Sequence, residues 1–484
     1  MADMQCPLAQ AAEIFKDLPA LITNNQTITY AEYYQLVATA AAKLQRSGVV
    51  ADQRVAIVSV NSVEYTILLM ALFHLGAVAC PISPRLPEKS ILEYLEKIKC
   101  TKVFDLSHQL TIDMPLQFQK LAAAEIVDFT ATDKAPRDDP IISLDQDATI
   151  IGTSGTSGQP KAVLHTYGNH YYSAVGSNKN IKVQPGNRWL LSLPLYHVGG
   201  LAILFRTMLG GGAVVIANKN VDLLDMIRRY QITHLSLVHT QLYRLLQESS
   251  LAEEMKQLKA VLVGGSHVVK SLIKKAHEHG LPLFTTYGLT EMASQVTTTS
   301  PGDSLEKLLT SGRLLKHRQI KISTEGEIMV KGETLFRGYA EHDQVVLPVD
   351  SNGWFHTGDT GHLNGASYLT VLGRKDNMFV SGGENVYPEE IEGALCLSDD
   401  VSEAVVVPME DNEFGFRPVA FLRTAGNKYV RKSDLVALLE RHLPRFKIPV
   451  RFYEWPEKTP DNSLKPARHF FRELVRTMEL TEIT

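Results

Sequence analysis

The chain has 484 residues, a formal net charge of −4, 44% hydrophobic and 21% charged residues. That length favours about three domains with ample core, and the charge balance gives no electrostatic reason to expect nucleic acid or an anionic membrane as partner. Cys6, Cys80, Cys100 and Cys396 are scattered without C-x-x-C spacing, so neither a disulfide framework nor a zinc site is indicated, which suits a reducing cytoplasm.

In chain order, Met1 to Met4 lack a basic stretch before an apolar core, so no secretory signal is expected. Thr29-Tyr-Ala-Glu32 starts a helix to Ser47, closed by Gly48, and Arg54 to Ser59 reads as a buried strand. Tyr65 to Ile82 carries no formal charge and approaches the length of a membrane span. His74, Gly76 and Pro81 interrupt it. It divides into a buried helix (about 63–75) and a buried strand (77–82), so no stable membrane insertion is expected. A helix at 88–98 and a strand at 102–105 follow. Alternating helices and apolar strands predict a mostly parallel α/β sheet.

After the polar stretch 107–145, an apolar strand runs from Ala148 to Ile151 into Gly152-Thr-Ser-Gly-Thr-Ser-Gly-Gln-Pro-Lys161. Small residues let the backbone approach a ligand, and hydroxyls with successive N–H groups can cradle an anion. Lys161 adds a cation. A flexible linker is the bland alternative, but the loop ends in Pro160-Lys161 and passes straight into apolar Ala162-Val163-Leu164. A Walker loop would need Gly-Lys-Ser/Thr opening a helix, and here no hydroxyl residue follows Lys161.

Beyond it come a helix (168–176), an apolar strand (188–193) and then strands at 213–217, 234–238, 260–263 and near 283–284, with helices at 221–230 and 241–248 between them. Ligands of open α/β sheets lie beyond the carboxyl ends of strands. Four loops are expected there: 152–161, 194–200, 264–266 and 286–291. Short β-like runs from about 312 to 372 predict a small β-rich unit. Gly373-Arg-Lys-Asp-Asn377 is a polar break, and the remainder reads as a separate α+β domain with helices at 388–397 and 431–442 and strands at 404–407 and 419–423.

Five ordered motifs carry a resemblance over nearly the whole chain: the 152–161 loop, Leu193-Pro-Leu-Tyr-His197, Tyr287-Gly-Leu-Thr-Glu291, His356-Thr-Gly-Asp359, and Gly373-Arg-Lys-Asp376 through Gly382-Gly-Glu-Asn-Val-Tyr-Pro388. The chain resembles the adenylate-forming superfamily of acyl-CoA synthetases, firefly-type luciferases and peptide-synthetase adenylation domains. The resemblance implies a large N-terminal domain of mostly parallel α/β sheets (1–375, with a β-rich subdomain at about 312–372) and a small mobile α+β C-terminal domain (376–484). It also implies a carboxylate attacking the α-phosphorus of ATP, with Mg²⁺ and coenzyme A as the other reactants. Two anions must meet, and at about 4 Å unit charges interact by roughly 4 kcal/mol at an effective dielectric near 20, so cations are needed.

Residue by residue, the resemblance assigns Thr153, Ser154, Gly155, Thr156, Ser157, Gly158 and Lys161 to the phosphates, with Thr290 near the α-phosphate. Gly264, Gly265, Tyr287 and Gly288 would bound the adenine, and Asp359 and Arg374 would take the ribose. Glu291 would be the Mg²⁺ ligand. His197 is either an ordinary core histidine or, by resemblance, a gate at the acyl pocket that acts in catalysis and substrate binding. The catalytic cation would be a C-terminal lysine. Lys458 and Lys465 are candidates, and Lys465-Pro-Ala-Arg468 matches the family's Lys-x-x-Arg with Leu464 where Gly or Asn is usual. Asp376 would be the hinge, and Gly382, Gly383 and Glu384 the loop offered to the pantetheine arm.

Gly-Gly-Glu-Asn resembles CoA ligases more than amino-acid-activating domains. Tyr167-Gly-Asn-His-Tyr171-x-Ser-Ala174 and Thr290-Glu-x-x-Ser294-Gln295 resemble the branch whose acid is a keto-bearing aromatic dicarboxylate. Its second carboxylate needs a cation, for which Arg206, with Ser294 nearby, is the candidate. A paired or snorkelling arginine is the bland reading. The alternatives are a CoA ligase for another aryl or fatty acid, and a non-catalytic nucleotide-binding protein of the same fold. Homo-oligomerisation is left open.

Overall fold

The computed structural model describes residues 3–110, 117–127, 129, 140–153, 161–217, 221–248, 257–265, 268, 270–424, 430–456, 468–477 and 480–483. Local chemistry sets the first elements. Thr29 caps the helix Tyr30–Arg46 with a capping box, its hydroxyl accepting from Glu32 N while the Glu32 carboxylate accepts from Thr29 N. Gly48 follows the helix end at φ +79°, a conformation glycine adopts without steric penalty. In Val63–His74 every residue from Val63 to Phe73 except Glu64 is buried. The apolar run is thus an interior helix, and no helix of the described residues is long and apolar enough to cross a membrane.

Two large sheets carry the first three-quarters of the chain. One runs Gln344–Val346, Gly338–Glu341, Lys161–Thr166, Asp147–Thr153, Val78–Ile82, Arg54–Val58, Lys102–Asp105, Gln119–Leu121. Its latter half is parallel, and the strands around the glycine-rich loop are antiparallel. The other is built around parallel strands Pro19–Ile22, Ala213–Val215, Arg188–Leu190, His234–Leu237, Ala260–Val263 and Leu283–Leu289, and ends in antiparallel Ser294–Thr298 and Arg313–Leu314. A continuous core including Tyr65, Leu69, Phe73, Tyr167, Trp189 and Phe205 joins them. Truncating one such leucine to alanine would cost about 2–5 kcal/mol.

The β-like runs after 312 form a four-stranded antiparallel sheet of Gln319–Ile322, Glu327–Lys331, Phe355–Leu363 and Leu369–Arg374. Between its strands the chain leaves to add Gly338–Glu341 beside Lys161–Thr166. The last part is a five-stranded sheet with helices Pro388–Leu395, Lys432–Glu440 and Arg468–Thr477 and its own cores.

Two sequence expectations are corrected. Residues 198–200, expected within a loop, open the helix Val198–Gly210. Residues 286–289 are not loop: the strand Leu283–Leu289 continues through Tyr287 and Gly288 and pairs with Ser294–Thr298. A Cβ on Gly288 would lie 2.1 Å from the Ser294 carbonyl oxygen, so glycine alone permits this approach. Only Thr290–Met292 forms a turn, of 3₁₀ type.

Candidate active site

The site is strung along that strand–turn–strand. Tyr287, on the strand, is buried, and its hydroxyl donates to Asp359 Oδ2 at 2.7 Å. Burial, reinforced by the Asp359 charge, raises the phenol far above its ordinary pKa, so it stays a donor. Asp359 and Arg374 face each other across adjacent strands. Arg374 Nη1 donates to Thr357 O at 2.7 Å and to Asp359 Oδ1 at 3.3 Å, while Nη2 donates to Asp376 Oδ2 at 3.0 Å. An ionised carboxylate flanked by a guanidinium is suited to accept a vicinal diol. Val263 is in register with Thr285, which sets Gly264 beside Thr286; a Cβ there would meet Thr286 Cγ2 at 2.4 Å. Gly265 takes φ +81°.

The turn presents Thr290 and Glu291. Its backbone is pinned at two carbonyls: His165 Nε2 lies 2.7 Å from Thr290 O, and Phe336 N donates to Glu291 O at 2.8 Å. Because Nε2 faces a carbonyl it carries the proton, leaving Nδ1 to accept from Thr149 Oγ1 at 3.2 Å, which in turn accepts from His170 Nε2 at 2.8 Å. Burial pushes His165 down to about 4 and His170 well below its usual value, so both are neutral at pH 7. Tyr339 Oη donates to Glu291 Oε1 at 2.8 Å, and the Lys161 ammonium stands 5.0 Å above the Tyr339 ring. Thr153 and Lys161 are paired across antiparallel strands. The phosphate-loop residues Ser154, Gly155, Thr156, Ser157 and Gly158 lie outside the described residues, as do Lys458 and Lys465.

No cluster of three or more metal-ligating side chains exists among the described residues. Glu291 offers one oxygen that no described donor occupies, which fits a Mg²⁺ ion arriving with a triphosphate. Mg²⁺ bound with nucleotide takes one or two carboxylates and fills its octahedron with phosphate oxygens and water.

Past the turn, Ala293 and Ser294 take φ of +50° and +110°, and Ser294 Oγ meets Arg206 Nη2 at 3.2 Å. Arg206 is 1% exposed on the helix Val198–Gly210, its guanidinium 5.4 Å from the Trp189 ring, and burial pushes it down to about 9. It is therefore still charged at pH 7. No carboxylate among the described residues pairs with it, and its Nε has no partner there. A second buried guanidinium, Arg318, is also lowered to about 9, by burial first and then by Arg206. It donates to Gln295 O and to Ser173 O and Oγ. An uncompensated buried charge costs several kcal/mol, and an anionic ligand removes that cost.

His197 stands at the N-cap of the same helix, half-buried, its ring 4.8 Å from that of Tyr196. Gly382 and Gly383, at φ +58° and +88°, turn the hairpin Phe379–Ser381 to Glu384–Val386, exposed with Glu384 at its tip. Among the described residues, no hydrogen bond or ion pair joins 382–384 to the Tyr287–Ser294 segment. Sequence reasoning missed Tyr339, His165 and Arg318. His165 lies in an apolar strand, Arg318 in the polar run Lys316-His-Arg-Gln319 that reads as surface, and Tyr339 in Arg337-Gly-Tyr339, a run with no chemical signature of its own.

Tyr287 with Asp359 and Arg374, then Thr290 and Glu291, then Ser294 with Arg206 thus follow one another along a single strand–turn–strand, the order in which an adenylate-forming enzyme would need its adenosine, phosphate and acid subsites. The profile of the AMP-binding enzyme family matches residues 8–340, and that of the AMP-binding enzyme C-terminal domain matches 390–462. The chain belongs to this family. It is 35% identical over 481 residues to a 2-succinylbenzoate–CoA ligase of Bacillus velezensis, covering 96% of this chain and 97% of that one. Among solved structures it resembles the o-succinylbenzoate CoA synthetase of Bacillus subtilis in complex with the acyl-adenylate intermediate OSB-AMP (TM-score 0.88, 31% identity, 100% of both chains). The same enzyme in complex with ATP and magnesium ion gives a TM-score of 0.88 at 32% identity, over 97% of this chain and 100% of that one.

Proposed function

We infer that this chain is an AMP-forming acid–thiol ligase that joins 2-succinylbenzoate to coenzyme A, the activity its resemblance places in menaquinone biosynthesis. One observation carries the acid assignment: Arg206 is buried and charged, without a described carboxylate partner, directly beyond the phosphate-facing turn. A monocarboxylic acid would leave that charge unanswered; a dicarboxylate answers it with the carboxylate that does not react.

Two displacements complete the reaction. A carboxylate oxygen of the acid bonds to the α-phosphorus of ATP as the bond to the bridging oxygen breaks, releasing pyrophosphate. The CoA thiol then loses its proton, its sulfur bonds to the acyl carbon, and AMP leaves with the C–O electron pair. In the first step Asp359 and Arg374 hold the ribose and Lys161 faces the phosphates. Glu291 would hold Mg²⁺, which would offset phosphate charge, and Lys465 offsets the repulsion between the two anions by position and charge. In the second, rotation about Asp376 withdraws Lys465 and brings Gly382, Gly383 and Glu384 to the pantetheine arm, with His197 gating the acyl pocket. A few residues absorbing a large backbone change is ordinary hinge behaviour. We place the enzyme in the cytoplasm, in keeping with its four free cysteines.

Incubation with ATP, Mg²⁺, CoA and 2-succinylbenzoate, followed by mass analysis, tests this directly. The expected products are the CoA thioester, AMP and pyrophosphate. Pyrophosphate release with benzoate or a fatty acid but not with the dicarboxylate would overturn the substrate assignment.

A further inference from the structure

Tyr339 touches two charged groups that the proposed reaction uses for phosphate and metal, yet carries no charge itself. Its strand, Gly338–Glu341, pairs with Lys161–Thr166, and Tyr339 stands opposite Val163. Side chains two apart on a strand share a face, so Lys161 shares the face of Val163, and its ammonium lies 5.0 Å above the Tyr339 ring. The hydroxyl of the same ring reaches Glu291 Oε1 at 2.8 Å. Phe336 packs edge-on against the ring at 4.9 Å, and the Phe336 N–H is the donor that pins the Glu291 carbonyl.

We propose that Tyr339 is a positioning residue for Mg²⁺·ATP, its hydroxyl occupying one Glu291 oxygen so that the other alone faces the metal, and its ring face holding Lys161 beside the same phosphates. This rests on the function proposed above. A free carboxylate can turn or bind a cation through both oxygens. With Oε1 engaged, Glu291 is restricted to one oxygen in one direction, as a small octahedral ion demands. Hydrogen bonds of this kind to a metal-binding carboxylate set its orientation, and removing one typically weakens metal affinity by about 10- to 100-fold.

The test is calorimetric titration of ATP into the full-length protein, without acid or CoA, once with Mg²⁺ and once with EDTA. Wild type is expected to bind ATP more tightly with Mg²⁺. Tyr339→Phe, which keeps ring and packing, should lose about tenfold of that Mg²⁺-dependent gain. Its affinity in EDTA, and its thioester formation from supplied acyl-adenylate, should stay at wild-type level. In a Glu291→Gln background, adding Tyr339→Phe should have no further effect. An undiminished Mg²⁺ gain in Tyr339→Phe, equal losses with and without Mg²⁺, or additive losses in the double variant would each overturn the proposal. The titration contains no acid, so a protein that shows the expected pattern but makes no thioester from 2-succinylbenzoate would uphold Tyr339 and remove only the substrate assignment.

Discussion

The Tyr287 hydroxyl donates to Asp359 Oδ2 at 2.7 Å, and Arg374 reaches the other oxygen of the same carboxylate at 3.3 Å. Residues far apart in the chain therefore orient one acceptor, the carboxylate we propose for the ribose. Hydrogen bonds to a charged group contribute about 1.5–3 kcal/mol each. Asp359→Ala should weaken ATP binding by about a hundredfold or more, and Tyr287→Phe, which loosens the carboxylate without removing it, by about tenfold or less. Equilibrium titration with ATP reads both; equal losses would assign the main contact to Tyr287 instead.

Arg206→Ala is expected to raise KM for 2-succinylbenzoate by about 10- to 100-fold, the loss of one charge-assisted contact, with KM for ATP unchanged. Arg206→Met, which removes the charge but keeps most of the volume, should also unfold at higher denaturant than wild type in the absence of acid. Steady-state kinetics on both substrates decide it: an unchanged acid KM would take Arg206 out of the pocket.

Lys465→Ala should abolish pyrophosphate release from ATP and acid yet leave thioester formation from supplied acyl-adenylate nearly intact. Measuring the two half-reactions separately tests the role, and a parallel loss of both would refute it.

The complementary variant is Gly382→Ala. Its φ of +58° disfavours a side chain, and a Cβ would come within 2.9 Å of Phe414 Cδ1. Strain of about 1–2 kcal/mol at such a position should slow the thioester step about tenfold while pyrophosphate release in a single turnover is unchanged. A slowed first step would place this loop at the adenylation site.

Buried neutral histidines make stability fall with acid. His165 and His234 are held down to about 4 by burial, and burial also holds His170 well below its usual value. Between about pH 6.5 and 4 the unfolded chain binds protons that the folded one does not, so stability present above 6.5 is lost as pH falls. The slope is roughly 1.4 kcal/mol per pH unit for each such histidine. Denaturant midpoints across that window should decline, and His234→Asn should flatten the decline. An unaltered slope in the variant would show that His234 does not titrate there.

The N-terminal helices and the apolar strands, including those on either side of residues 154–160, were legible because each follows from periodicity or capping within a few residues. Boundaries slipped where pairing, and not propensity, decides them. Leu283–Leu289 runs through a segment rich in threonine and glycine because Ser294–Thr298 lies against it. Arg206 could be suspected from a charge in an apolar helix, but Arg318, Tyr339 and the His165–Thr149–His170 chain could not. Nothing in their neighbourhoods distinguishes them from ordinary packing or surface residues.

The amino-acid order by itself determined the family of this chain and which of its groups we propose for phosphate, ribose and a carboxylic acid, since those chemistries demand particular side chains at short, recognisable spacings. Only the folded chain decided how those groups are held: Tyr339 is 48 positions beyond Glu291, and Asp359 lies 72 beyond Tyr287. Contacts across such separations arise when strands from distant segments are laid side by side, and local propensity carries no information about which strand becomes whose neighbour.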